Sequence, residues 1–137
     1  MPGSAPEYVE GHVVPADDAP AVARAYFDSI NSENWEQLAG VWADGAELLA
    51  VGARPRCGRD EIMEFYGGIF EPWSAHMDQP TRFVVAGDLV FTEIEFTGVT
   101  HDGRQIVFPA VDVFELAGDQ VRKLSIWYDL TWVRKQL

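Results

Sequence analysis

Val90-Phe91-Thr92-Glu93-Ile94-Glu95-Phe96-Thr97 alternates with a period of two, the pattern of a strand with one buried face and one wet face. Val90, Thr92, Ile94 and Phe96 form the set expected to face the interior; Glu93 and Glu95 point outward. The period persists downstream. Phe108, Ala110, Asp112, Phe114 and Leu116 share one strand face, which sets a carboxyl among apolar neighbours, and Leu124, Ile126, Tyr128 and Leu130 share another. Gly87-Asp88, His101-Asp102-Gly103 and Ala117-Gly118-Asp119 divide the segments as hairpin turns. Long antiparallel strands are therefore expected from Pro80 onward.

Upstream of Pro80 the period is helical. Asp17 and Asp18 offer N-cap oxygens, and Val22, Ala25, Tyr26, Ser29 and Ile30 recur at helical spacing to about Asn31. Ser32-Glu33-Asn34 breaks this helix. Trp35, Leu38, Ala39, Val41 and Trp42 predict a short second helix ended by Asp44-Gly45, followed by a strand from Ala46 to Val51 and a loop from Gly52 to Gly58. Asp60 is expected to cap a third helix bearing Ile62, Met63, Phe65, Tyr66 and Ile69, stopped by Pro72. Helices first and strands after predict an α+β domain over residues 17–137, with three N-terminal helices on one face of a curved, mainly antiparallel sheet. Residues 1–16, with Pro2, Gly3, Pro6, Gly11 and Pro15, read as a flexible tail.

Lys+Arg 10 against Asp+Glu 22 leaves a net charge of −12, a field that repels phosphate backbones and anionic lipid. Nucleic acid and membrane surfaces are thus excluded as expected partners. Cys57 is the single cysteine, which precludes an intramolecular disulfide and a cysteine-based zinc ribbon. No two histidines share a metal-ligand spacing, so no metal site is expected. Without a secretory signal or an apolar span in the sequence, a cytoplasmic setting is expected.

Three stretches carry a family resemblance. They are Arg24-Ala25-Tyr26-Phe27-Asp28-Ser29-Ile30-Asn31 with Trp42-Ala43-Asp44-Gly45-Ala46; Gly58 to Tyr66, ending in Glu64-Phe65-Tyr66; and Asp112-Val113-Phe114-Glu115-Leu116 followed by a Gly-Asp turn. In order and spacing, from about Val22 to Leu137, the chain resembles the ketosteroid isomerase and SnoaL-like polyketide cyclase family of the nuclear transport factor 2-like superfamily. The resemblance implies a cone-shaped fold. In the isomerases a first-helix tyrosine and a protonated late-strand aspartic acid form an oxyanion hole, and Tyr26 and Asp112 fall at those positions. Tyr66 matches a second tyrosine that hydrogen-bonds the first. The family's base, on the first strand, falls at Ala50. Limonene epoxide hydrolases place an arginine and two aspartates where this chain has Ile94, Phe96 and Ile126, which argues against epoxide hydrolysis. SnoaL-like cyclases move a proton with one late-strand aspartate, the position of Asp112.

The resemblance thus implies a cofactor-independent isomerase or polyketide cyclase acting by proton transfer alpha to a carbonyl of a hydrophobic, polyketide- or steroid-like small molecule. On that reading Asp112 exchanges the substrate proton and Tyr26, oriented by Tyr66, stabilises the enolate oxygen. The alternative is a non-catalytic binder of hydrophobic small molecules, which Ala50 favours. His76, followed by Asp78 in the loop after Pro72-Trp73, is the best substitute base. Trp42, Phe65, Trp73, Phe108, Phe114, Ile126 and Tyr128 are core side chains of which several are expected to line the cavity. Arg54, Arg56 and Arg59 form either a solvated basic loop or an attractor for an anionic substrate group. Asp129 is assigned a structural or interface role. Val107, Val111, Val113 and Trp127, on the outer faces of their strands, predict a homodimer.

Overall fold

The computed structural model describes residues 8–137. In chain order it contains β1 (His12–Val14), a 3-10 turn (Ala16–Asp18), α1 (Ala21–Ser32), α2 (Trp35–Ala39), β2 (Trp42–Ala50), β3 (Arg56–Cys57) and α3 (Arg59–Ile69). Four long elements of sheet follow, β4 (Trp73–Ala86), β5 (Leu89–Thr100), β6 (Gln105–Ala117) and β7 (Gln120–Tyr128), and then α4 (Leu130–Gln136). All seven strands join one curved sheet in the order β1-β4-β5-β6-β7-β2-β3. Only β2 beside β7 is parallel; the other neighbours are antiparallel. The domain is α+β, with its helices packed on one side of that sheet.

Alternation settles which residues go inside. Val90, Thr92, Ile94 and Phe96 are buried and Phe91, Glu93 and Glu95 are exposed. On β6, Phe108, Ala110, Asp112, Phe114 and Leu116 are all buried, and Asp112 pairs across the ladder with Thr92 and Ile126. The helices supply the opposing layer: Val22, Tyr26, Phe27 and Ile30 of α1 and Ile62, Phe65 and Tyr66 of α3. Each large apolar side chain withdrawn from water here contributes about 1.5–3 kcal/mol before entropy is counted.

Several boundaries differ from the expectation, each for a local reason. Asp17 and Asp18 do not cap α1. They lie in the 3-10 turn, Ala19 is extended, and Pro20 takes the N-cap position without a side-chain bond. Trp42 belongs to β2 rather than to α2, which stops at Ala39; Trp42 is fully buried beside β7, and Val121 donates to the carbonyl of Val41. Gly58, at φ +86, begins α3 in a conformation unfavourable to other residues, so Asp60 sits in the first turn instead of capping it. Of the expected tail, His12–Val14 forms an edge strand on β4; residues 1–7 lie outside the described residues.

The largest differences frame the cavity. Strand β4 begins at Trp73, so His76 and Asp78 stand on a strand and not in a loop. Leu130 does not extend the β7 face but opens α4, which Asp129 caps by accepting from the Trp132 amide at 2.9 Å. At Gly52, φ +74, an added Cβ would collide with Leu130, so glycine lets α4 settle onto the turn after β2. Among the described residues no helix is long and apolar enough to cross a membrane.

Candidate active site

Tyr26 sits at the middle of the buried stripe of α1, and Tyr66 near the end of that of α3. Because both helices turn these faces to the sheet, the two hydroxyls meet at 2.6 Å. Trp42 and Phe114 fix the Tyr26 ring from behind, with centroids 6.1 and 5.2 Å away. Asp112 enters from β6, its side chain carried inward by the alternation that buries Phe114. These three groups line a cavity of about 230 Å³.

Apolar side chains make most of the remaining wall, among them Phe70, Trp73, Phe96, Phe108, Ile126 and Tyr128, while Leu130, Val133 and Arg134 of α4 close it. Of the side chains expected at the cavity, Trp73, Phe108, Ile126 and Tyr128 line it. Trp42, Phe65 and Phe114 do not reach the cavity: they are packed behind the tyrosines as core, and Phe65 also lies beneath the Arg56 guanidinium, 5.4 Å from its ring centroid.

The substitute base expected at His76 is likewise displaced. Its ring stacks on Phe70 at 3.9 Å, its Nε2 lies 2.9 Å from the Glu33 carboxylate, and it does not line the cavity. Asp78, two residues on, shares the inward side of β4 and does line it. Asn31, at the end of α1, grips the strand there: its Oδ1 accepts from the Asp78 amide at 2.8 Å and its Nδ2 donates to the Asp78 carbonyl at 2.9 Å. The sequence set this residue in a loop because its neighbourhood, His76 to Pro80, lacks an apolar alternation. The basic cluster is occupied elsewhere: Arg54 pairs with Glu61, and Arg59 donates to the carbonyls of Ala39 and Trp42.

Burial dominates the electrostatics. It raises Asp112 well above the ordinary carboxyl range, and the Asp78 charge adds to the effect. Asp112 is consequently neutral near pH 7 and able to donate a hydrogen bond. Burial alone pushes Asp78 up to about 7. Tyr26 and Tyr66 are raised, again first by burial, and remain protonated donors. Among the described residues, neither carboxyl hydrogen-bonds to another side chain, and Thr92 Oγ1, across the ladder from Asp112, has no partner. The site can thus present two donors to one oxygen and a titrating carboxyl beside them.

Residues 23–124 match the SnoaL-like domain family, and the chain belongs to it. Its fold is that of nuclear transport factor 2-like and ketosteroid isomerase-like proteins. A protein of Catenulispora acidiphila with a ketosteroid isomerase-like fold, solved with trimethylamine, is 18% identical, with a TM-score of 0.77 over 85% of this chain and 92% of that one. One from Jannaschia sp. CCS1, provisionally named a SnoaL-like polyketide cyclase, is 20% identical, with a TM-score of 0.74 over 83% and 87%. An LEH-like epoxide hydrolase from M. tuberculosis is 16% identical, with a TM-score of 0.72 over 88% and 90%. No curated protein matches by sequence.

Proposed function

We propose that this chain is a cofactor-independent acid-base enzyme, an isomerase or cyclase that moves a proton alpha to a carbonyl of an apolar small molecule. The convergence of the bonded Tyr26–Tyr66 pair and the neutral Asp112 carboxyl on one apolar cavity carries this reading. Such a constellation holds a carbonyl oxygen more tightly as it becomes an enolate, which is how fixed donors in a dry site lower a barrier. Epoxide hydrolysis fits less well, since Ile94, Phe96 and Ile126 hold no group able to activate water. At about 230 Å³ the cavity lies below the range of about 300–1,000 Å³ common for ligand sites, which favours a substrate part of one or two rings.

The test is exchange of the α-protons of 2-tetralone in D₂O, followed by proton NMR. Exchange accelerated above buffer is expected. Tight binding without acceleration would instead establish the non-catalytic binder.

For the assembly, we propose a homodimer through the outer sheet face. A groove of about 940 Å³ crosses that face, bordered by Phe91, Val107, Val111 and Trp127, with Phe91, Val107 and Trp127 more than two-fifths exposed. Arg82, Glu93 and Glu95 line it as well, and exposed apolar side chains rimmed by charges of both signs suit a self-complementary contact. Light scattering at micromolar concentration should give twice the mass of 15.3 kDa, and Trp127→Lys should give a folded monomer. A monomeric parent protein would remove the proposal.

A further inference from the structure

We propose that Asp78 is the general base of this site, taking the α-proton of the substrate while Asp112 and Tyr26 hold its carbonyl oxygen. The assignment rests on the proton-transfer reading above and replaces the expectation that Asp112 alone carries the proton. A base is needed because Ala50 has no acid-base group and His76 is turned away onto Phe70 and Glu33. Among the described residues, Asp78 and Asp112 are the carboxyls that line the cavity.

Placement supports a division of labour. Asp78 stands on β4 and Asp112 on β6, with β5 between them, and the two make no hydrogen bond to each other. Their carboxyls therefore approach a bound molecule from different strands. The Asn31 clamp on both backbone polar groups of Asp78 holds its strand position against α1. Burying a carboxyl without a partner is costly. No described side chain pairs with this one, so packing gives no return for its burial.

Titration runs in the same sense. The titratable and charged groups that share the cavity with Asp78 are Asp112 of β6, Tyr26 of α1, Tyr66 of α3, Tyr128 of β7 and Arg134 of α4. Burial pushes Asp78 up to about 7, and burial together with the Asp78 charge raises Asp112. A base near 7 is half ionised at neutral pH and far stronger than an ordinary carboxylate. In the step itself the C–H bond breaks, its proton joins Asp78, and its electron pair moves through the α-carbon to the oxygen held by Tyr26 and Asp112. Return of the proton from Asp78 to a conjugated carbon restores the carboxylate and completes an isomerisation, whereas return to the same carbon after exchange with solvent gives the α-exchange alone.

The experiment follows 2-tetralone exchange from pH 5.5 to 8.5 for the parent protein and for Asp78→Asn, with 2-naphthol binding measured on both. The parent rate should rise through about pH 7, and Asp78→Asn should lose ~10²–10⁴ in rate while still binding 2-naphthol at Tyr26 and Asp112. Undiminished exchange in Asp78→Asn overturns the assignment and leaves the proton-transfer reading intact. A parent rate that is flat or falling over that interval overturns it without recourse to any variant. No exchange by the parent protein at any pH overturns the function reading itself, and this assignment with it.

Discussion

Tyr26→Phe is expected to slow 2-tetralone exchange by ~10²–10³, the usual loss on removing one oxyanion donor, and Asp112→Ala by at least as much. The reasoning begins with the low polarity of the site. Tyr26 is 2% exposed and Asp112 4%, so with substrate filling the cavity bulk water does not take the place of a missing donor. Asp112→Ala also leaves space and withdraws the neutral carboxyl that faces the developing charge. Tyr66 acts on the substrate through Tyr26, to which it is bonded at 2.6 Å. Tyr66→Phe should accordingly lower kcat more than it raises KM, and less than Tyr26→Phe does. Circular dichroism must show the variants folded, and 2-naphthol affinity should fall in Tyr26→Phe and Asp112→Ala. Full activity in Asp112→Ala would remove this residue from the chemistry.

The portions of the fold that could be read from the sequence are those where side-chain chemistry and burial agree. Strand β5 declared both of its faces because each inward residue from Val90 to Phe96 is apolar or threonine and each outward one tolerates water. The first half of β4 could not be read that way. Its inward positions are occupied by His76, Asp78 and Pro80, so the stretch that delivers the second carboxyl looks like a loop. A site that needs a buried polar group breaks the very pattern by which strands are recognised. Helix α4 did leave a trace, since Asp129 followed by Leu130, Val133 and Leu137 is a cap with helical spacing. It was masked by continuity with the β7 alternation. Trp42 was hidden differently: Gly40 ends α2, but Val41 and Trp42 continue the apolar spacing of Trp35, Leu38 and Ala39, so the start of the parallel strand reads as more helix.

The same buried carboxyls set how stability responds to pH, and the sign follows from their direction. Asp78 rises to about 7 in the folded chain from its ordinary 3.8, so between those values the native state binds a proton that the unfolded state has released. Stability then falls as pH rises through this window. A full shift of this size corresponds to about 4 kcal/mol, an upper bound because local relaxation and water entry reduce it. Asp112 is also raised and extends the loss to higher pH. Asp102 opposes them at the acid end: bonds from Thr100 and Arg104 hold it below the usual range, so its contribution disappears as pH falls towards its folded value. Urea denaturation should therefore show a midpoint that drops from pH 5 to pH 8 in the parent protein. Asp78→Asn removes the titrating group without emptying its space, so it should flatten much of that slope and make the variant more stable than the parent at pH 8. Equal midpoints for the parent protein at pH 5 and pH 8 would mean that neither carboxyl is strongly perturbed, and the base at Asp78 would lose its physical footing.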